Sequence, residues 1–237
     1  LGLLGGGGSI LAVPLLIYFV GIADAHVAVG TSAVAVAASA LINLLLHARS
    51  GTVKWPCSLA FAASGVLGAL AGAELGQAVS GQKLLAAFSV AMVGVGISML
   101  RRPAGAGDAD VRIDMRITMR LVPTGLITGL ASGFFGIGGG FLIVPGLMGA
   151  ANMTMMNAVG SSLVAVTAFA AAGAASYAKA GLVDWQVAVS FIGGGLIGGL
   201  AAQPLGRRLA SRKALLTRIF AVLIFCVAAY VMARSFR

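Results

Sequence analysis

Two glycine-rich stretches have the composition to bind an anion inside apolar surroundings. One is Gly136-Ile137-Gly138-Gly139-Gly140-Phe141-Leu142-Ile143-Val144-Pro145, and the other is Gly5-Gly6-Gly7-Gly8-Ser9-Ile10-Leu11-Ala12-Val13-Pro14. Consecutive glycines weaken a helix by about 1 kcal/mol each, so each run predicts a break, followed by a short apolar helix ending near its proline. The first N–H groups of such a helix have no intrahelical partner and carry about half a positive charge. They can hold an oxyanion without a cationic side chain. Gly7, Gly8, Ser9, Gly138, Gly139 and Gly140 are therefore the first substrate-binding candidates.

Each break is followed by an apolar segment that carries hydroxyls near its start. These are Gly30-Thr31-Ser32 and Gly160-Ser161-Ser162. A rise of 1.5 Å per residue sets the hydroxyls about 8–12 Å deep, heading toward the level of the breaks. Thr31, Ser32, Ser161 and Ser162 are thus candidate partners of the N–H donors; the competing reading is that each bonds back to a carbonyl one turn earlier. His26, His47, Asn157 and Tyr177 are candidates for gating or coupling. His47 and Tyr177 stand at equivalent helix ends, where both read as interfacial anchors. Cys57 and Cys226 lack metal-ligand spacing and read as packing residues, so no metal or other cofactor is expected.

The segments that must position these residues are membrane segments. The 237 residues are 59% hydrophobic and only 9% charged, with a mean hydropathy of +1.04, far outside the range of soluble domains. Apolar runs near residues 1–22, 27–47, 56–77, 84–100, 121–150, 156–178, 185–206 and 214–233 mostly reach the roughly 20 residues that cross hydrocarbon. The formal charge of +10 sits between the runs, where topology and anionic lipid account for it without nucleic acid.

From residue 30 onward the halves match at a constant offset of 130, including the only two tryptophans, Trp55 and Trp185. The fold expected is an all-α polytopic integral membrane protein. It comprises two homologous repeats of about four hydrophobic segments each, with the broken or re-entrant glycine segments meeting near the midplane. Residues 1–100 are expected to form the first repeat, its N-terminal arm truncated; 101–120 form a cytoplasmic linker and 121–237 the second repeat. Charge favours inversion: Arg49 and Lys54 fill one loop of the first half, whereas Arg207, Arg208, Arg212 and Lys213 fill the other loop of the second. Glycines recurring every fourth residue at Gly125, Gly129 and Gly133, and at Gly68, Gly72 and Gly76, predict close helix packing.

Enzyme readings find no support. Gly136-x-Gly138 has no preceding strand and Phe141 at the wrong place for a dinucleotide fingerprint, and no catalytic constellation is present. The Gly-Ile-Gly-Gly-Gly run ending at Val144-Pro145, Val-Gly-Thr-Ser at 29–32, Val-Gly-Ser-Ser at 159–162 and Gly-Leu-Val-Asp-Trp at 181–185 resemble the TauE/SafE sulfite exporter family. The first copy departs from the pattern at Gly6 and Ser9. The resemblance implies an inner-membrane transporter exporting sulfite or small organosulfonates such as sulfoacetate. The residues themselves imply only passage of a small oxyanion; alternating access is the mechanism expected for it, with a passive channel, a carrier of another sulfur compound or a non-transporting scaffold as alternatives.

Overall fold

The computed structural model describes residues 7–49, 51–101, 108, 114–136, 138–195, 222 and 225–231. Gly5, Gly6, Gly198, Gln203, Arg218, the Arg207–Lys213 cluster and most of the 101–113 stretch lie outside them. The described chain is helical, with one isolated bridge between Asp108 and Met153. Element α1 is a 3-10 turn at Gly7–Leu11, an α-helical turn at Ala12–Leu15 and a π-helical turn at Leu16–Val20. Then follow α2 (Ala25–Arg49), α3 (Trp55–Ala78), α4 (Gly81–Arg101), α5 (Met115–Phe135), α6 (Gly140–Ala151) and α7 (Met155–Lys179). Residues 185–195 form a further helical stretch, α8.

Length separates spans from half-spans. Ala25–Arg49, Trp55–Ala78 and Met156–Lys179 are long and apolar enough to cross a membrane. The 12 residues of α6 cover only about 18 Å, short of the roughly 30 Å of hydrocarbon. Contrary to the sequence expectation, neither Pro14 nor Pro145 ends its helix: α6 continues to Ala151. Proline deletes one ladder bond, but the buried Ile143 and Leu147 hold α6 in the core on either side of it. Helix α5 starts at Met115, six residues before the apolar run. Asp114 accepts from Met115 N at 2.7 Å and caps it there.

The repeated sequence folds into repeated elements. Helices α2 and α7 each have 25 residues and occupy equivalent positions in the two halves. Each is followed by a left-handed glycine, Gly51 (φ 70°) and Gly181 (φ 73°), and then by a helix beginning at a tryptophan. Each is preceded by a left-handed residue that stops the short helix before it, Gly21 (φ 88°) and Asn152 (φ 50°).

Small residues set the packing. Gly65, Gly68 and Gly72 of α3 lie against Gly129, Leu126 and Leu130 of α5, so close that an added Cβ would collide with backbone. Contacts advance together along the two helices, from Phe61 with Gly125 to Ala69 with Gly133, so α3 and α5 are parallel. Helix α7 is also parallel to α3, Gly65 meeting Phe169 and Gly76 meeting Tyr177. Helices α2 and α7 are antiparallel: Gly30 near the start of α2 meets Leu182, and Gly160 near the start of α7 meets Thr52. Hence α3, α5 and α7 all begin at one face. The chain from α5 through the glycine turn and α6 leaves that face and returns to it. The strand-like pairing of Asp108 with Asn152 and Thr154 at 2.8 and 3.3 Å joins the two ends of this excursion.

Candidate functional site

Three left-handed glycines make the turn between α5 and α6. Gly136, Gly138 and Gly139 have φ of 63°, 66° and 61°, a conformation that costs other residues about 1–3 kcal/mol. Space demands glycine as well. A Cβ on Gly138 would stand 2.7 Å from Val36 Cγ1, 3.1 Å from Val166 Cγ1 and 3.3 Å from Ala170 Cβ. Val36 and Val166 lie near the middle of their 25-residue helices, so the turn reaches the centre of the bundle.

Helix α6 starts there without a side-chain cap, its N-cap being Gly139. Leu142 N and Ile143 N both donate to Gly139 O, at 2.8 and 3.0 Å. Gly140 N–H and Phe141 N–H precede that first bond, at positions whose donors have no partner within the helix itself. Ser32 Oγ donates to Val29 O at 2.8 Å and to Gly136 O at 3.0 Å, tying the turn to α2. Ser132 Oγ is buried beside Gly139 and has no hydrogen-bond partner among the described residues. Among the described residues no cluster of acidic, histidine or cysteine side chains is positioned to hold a metal. The polarity of this site comes from backbone dipoles and hydroxyls.

Thr31 and Ser161 each accept a backbone N–H from the other half of the chain. Thr31 Oγ1 accepts the backbone N–H of Asp184 at 3.0 Å, and Ser161 Oγ accepts that of Lys54 at 2.9 Å. Each hydroxyl of one repeat holds the helix-start loop of the other. The adjoining glycines permit the approach: a Cβ on Gly160 would come within 2.7 Å of Thr52 Oγ1, and one on Gly30 would strike Leu182 O. The four residues form a reciprocal clamp between the repeats.

The family profile described as "Sulfite exporter TauE/SafE" matches residues 1–231. The chain belongs to the TauE/SafE family. Two proteins of Xylella fastidiosa, strains 9a5c and Temecula1, each named "Probable membrane transporter protein", are 48% identical to it over 236 residues, covering 99% of this chain and 90% of each relative. "Probable membrane transporter protein YunE" of Bacillus subtilis strain 168 is 24% identical over 250 residues, covering 96% of this chain and 92% of YunE. No solved structure matches the chain. The TauE/SafE assignment and the apolar helices together make this a multi-pass membrane transporter.

In this TauE/SafE chain the remaining sequence candidates whose burial is described are buried or half-buried. Ser162 Oγ bonds back to Val159 O at 2.8 Å within α7, the ordinary serine arrangement. Gly7, Gly8 and Ser9 lie in the 3-10 turn that opens α1, and Ser9 is buried. His26 N is capped by Asp24 at 2.8 Å, while its Nδ1 is buried without a partner. His47 Nδ1 meets Thr52 Oγ1 at 3.0 Å in the loop after α2, and Asn157 N donates to Thr154 Oγ1 at 3.4 Å at the start of α7.

Tyr177 is not the interfacial anchor its helix-end position suggests. Its side chain is fully buried, its hydroxyl lacks a partner, and it packs in a second core with Ile10, Val13, Leu84, Phe88 and Met92. The glycine at 76 leaves the room that the Tyr177 hydroxyl occupies. Ser132 was not among the residues singled out by sequence. It lies in the arm before the glycine run, and the repeat register puts Leu1 opposite it, so the duplication gives no signal there. The clamp was legible in principle: the Gly-Thr/Ser pairs and the loops before Trp55 and Trp185 recur in one register. An open, mainly apolar groove lined by Val20, Gln186, Val187, Ser190 and Phe191 forms around α8 and includes none of these candidates.

Proposed function

We propose that this transporter carries sulfite or a small organosulfonate out across the inner membrane, binding the anion at the start of α6 and alternating access around it. The observation that carries the reading is the uncapped start of α6, set among the midpoints of α2 and α7. Unpaired N–H groups are tolerated at such depth only where protein or a polar passage satisfies them. The positive end of the α6 dipole favours an anion there. The family's description as sulfite exporters supports the choice of a sulfur oxyanion.

An inverted-repeat mechanism is supported by the antiparallel pairing of the equivalent helices α2 and α7. In this reading the glycine segment enters the membrane and turns back. Helix α1 is its counterpart in the first repeat, with Gly7, Gly8 and Ser9 at the corresponding turn. The clamp made by Thr31 and Ser161 keeps the repeats in register as they rock. Purified protein in proteoliposomes tests the reading by flux of sulfite, sulfoacetate, taurine and sulfate. Saturable sulfite or sulfoacetate flux above protein-free vesicles is expected; non-saturating flux identifies a channel, and no flux of any of the four rejects the substrate class.

A further inference from the structure

We infer that Ser132 supplies a side-chain donor to an oxyanion at the start of α6, an inference that rests on the transport reading above and adds a residue to its site. Ser132 is 1% exposed, and its Oγ has no hydrogen-bond partner among the described residues. Leaving a hydroxyl buried and unpaired costs stability, and a nearby helix carbonyl would ordinarily satisfy it. Other hydroxyls of α5 follow that rule: Thr124 bonds to Arg120 O at 2.6 Å and Thr128 to Thr124 O at 2.7 Å. Ser132 departs from it at the position where α5 meets the α6 start. A Cβ on Gly139, the N-cap of α6, would lie 2.8 Å from Ser132 Cβ and 3.1 Å from Ser132 Oγ.

Two independent features therefore meet at one place. The helix start offers Gly140 N–H and Phe141 N–H, and the serine offers an O–H that the protein does not use. The hydrogen of a hydroxyl rotates freely to suit an acceptor. Together they suit a small oxyanion with oxygens on several sides, the chemistry of sulfite and of a sulfonate headgroup. The site is also asymmetric between the repeats. The register that aligns Pro14 with Pro145 places Leu1 opposite Ser132 and Ser9 opposite Gly140, so each glycine turn carries a single serine on a different side of the run. Such an arrangement gives the two half-sites different donor sets for one anion.

The test is sulfite binding by detergent-purified full chain, followed by thermal stability with and without sulfite, for the wild type, Ser132→Ala and Ser132→Cys. Alanine keeps the Cβ that packs beside Gly139 and removes only the oxygen; cysteine restores a side chain of similar shape with a weak donor. Ser132→Ala is expected to bind sulfite at least about tenfold more weakly, the effect of losing a hydrogen bond to a charged group. Its ligand-free stability is expected to equal or exceed that of the wild type, which a purely structural serine would not allow. Ser132→Cys is expected to fall between them in affinity. Equal sulfite affinity in wild type and Ser132→Ala would overturn the role of Ser132 and leave the transport reading standing. Absence of binding by the wild type, to sulfite and to sulfoacetate alike, would overturn both.

Discussion

Replacing Thr31 by valine and Ser161 by alanine separates a clamp from a substrate site. Each substitution removes an oxygen that accepts a backbone N–H of the other repeat, at 3.0 Å from Asp184 and 2.9 Å from Lys54. Both oxygens belong to residues with no exposed surface, so water does not replace them readily. An unsatisfied buried donor costs about 1–3 kcal/mol in soluble proteins. Side-chain hydrogen bonds in membrane proteins average nearer 0.6 kcal/mol, with maxima around 1.7. A loss of about 1 kcal/mol per site follows, or about 2–4 °C in melting temperature for a chain of this size.

The two sites stand at opposite ends of the antiparallel α2–α7 pair, roughly 15–20 Å apart by helical rise. Their effects should therefore add in the double variant. Ser162→Ala is the control, because Ser162 Oγ bonds only to Val159 O of its own helix; it should shift stability by less than about 0.5 kcal/mol. Thermal denaturation of purified protein in detergent measures all four variants against the wild type, with sulfite titration alongside. An unchanged melting temperature with sulfite binding abolished in Thr31→Val and Ser161→Ala would make the hydroxyls ligands and not a clamp.

Further outcomes follow from the same packing. Gly138→Ala combines a left-handed φ of 66° with a Cβ 2.7 Å from Val36 Cγ1, and should lower stability by about 2 kcal/mol or more, read as a loss of folded yield and melting temperature. Gly160→Ala drives a methyl to 2.7 Å from Thr52 Oγ1 and should cost more than Ser161→Ala in the same melting experiment, because overpacking is added at the clamp. Tyr177→Phe removes a buried hydroxyl that has no partner and should raise the melting temperature, by about 1 kcal/mol of stability; a fall would mean that the hydroxyl is bonded in the membrane.

Membrane character was plain in the sequence because hydropathy and length act residue by residue. Repeated elements were also visible, since Gly51 and Gly181, or Trp55 and Trp185, keep their places in both halves and fold alike. The reach of the glycine turn was visible only in part. Sequence marks where the backbone breaks, but the return of α6 depends on Gly136, Gly138 and Gly139 together taking left-handed φ, which single positions do not announce. Hydroxyl roles were the least legible. Thr31 and Ser161 look like ligands in isolation, and their partners lie 153 and 107 residues away in the chain. Tyr177 misled for a similar reason, its inward direction being decided by the space above Gly76 rather than by its own neighbours.

Locating a heavy oxyanion tests the anion site most directly. Selenite has the pyramidal shape of sulfite, and its selenium is visible by anomalous diffraction from crystals of the full chain. A peak is expected at the start of α6, within hydrogen-bond reach of Gly140 N–H, Phe141 N–H and Ser132 Oγ, and it should disappear when excess sulfite is added. A sulfite-displaceable peak elsewhere in the bundle, with the α6 start empty, would contradict this.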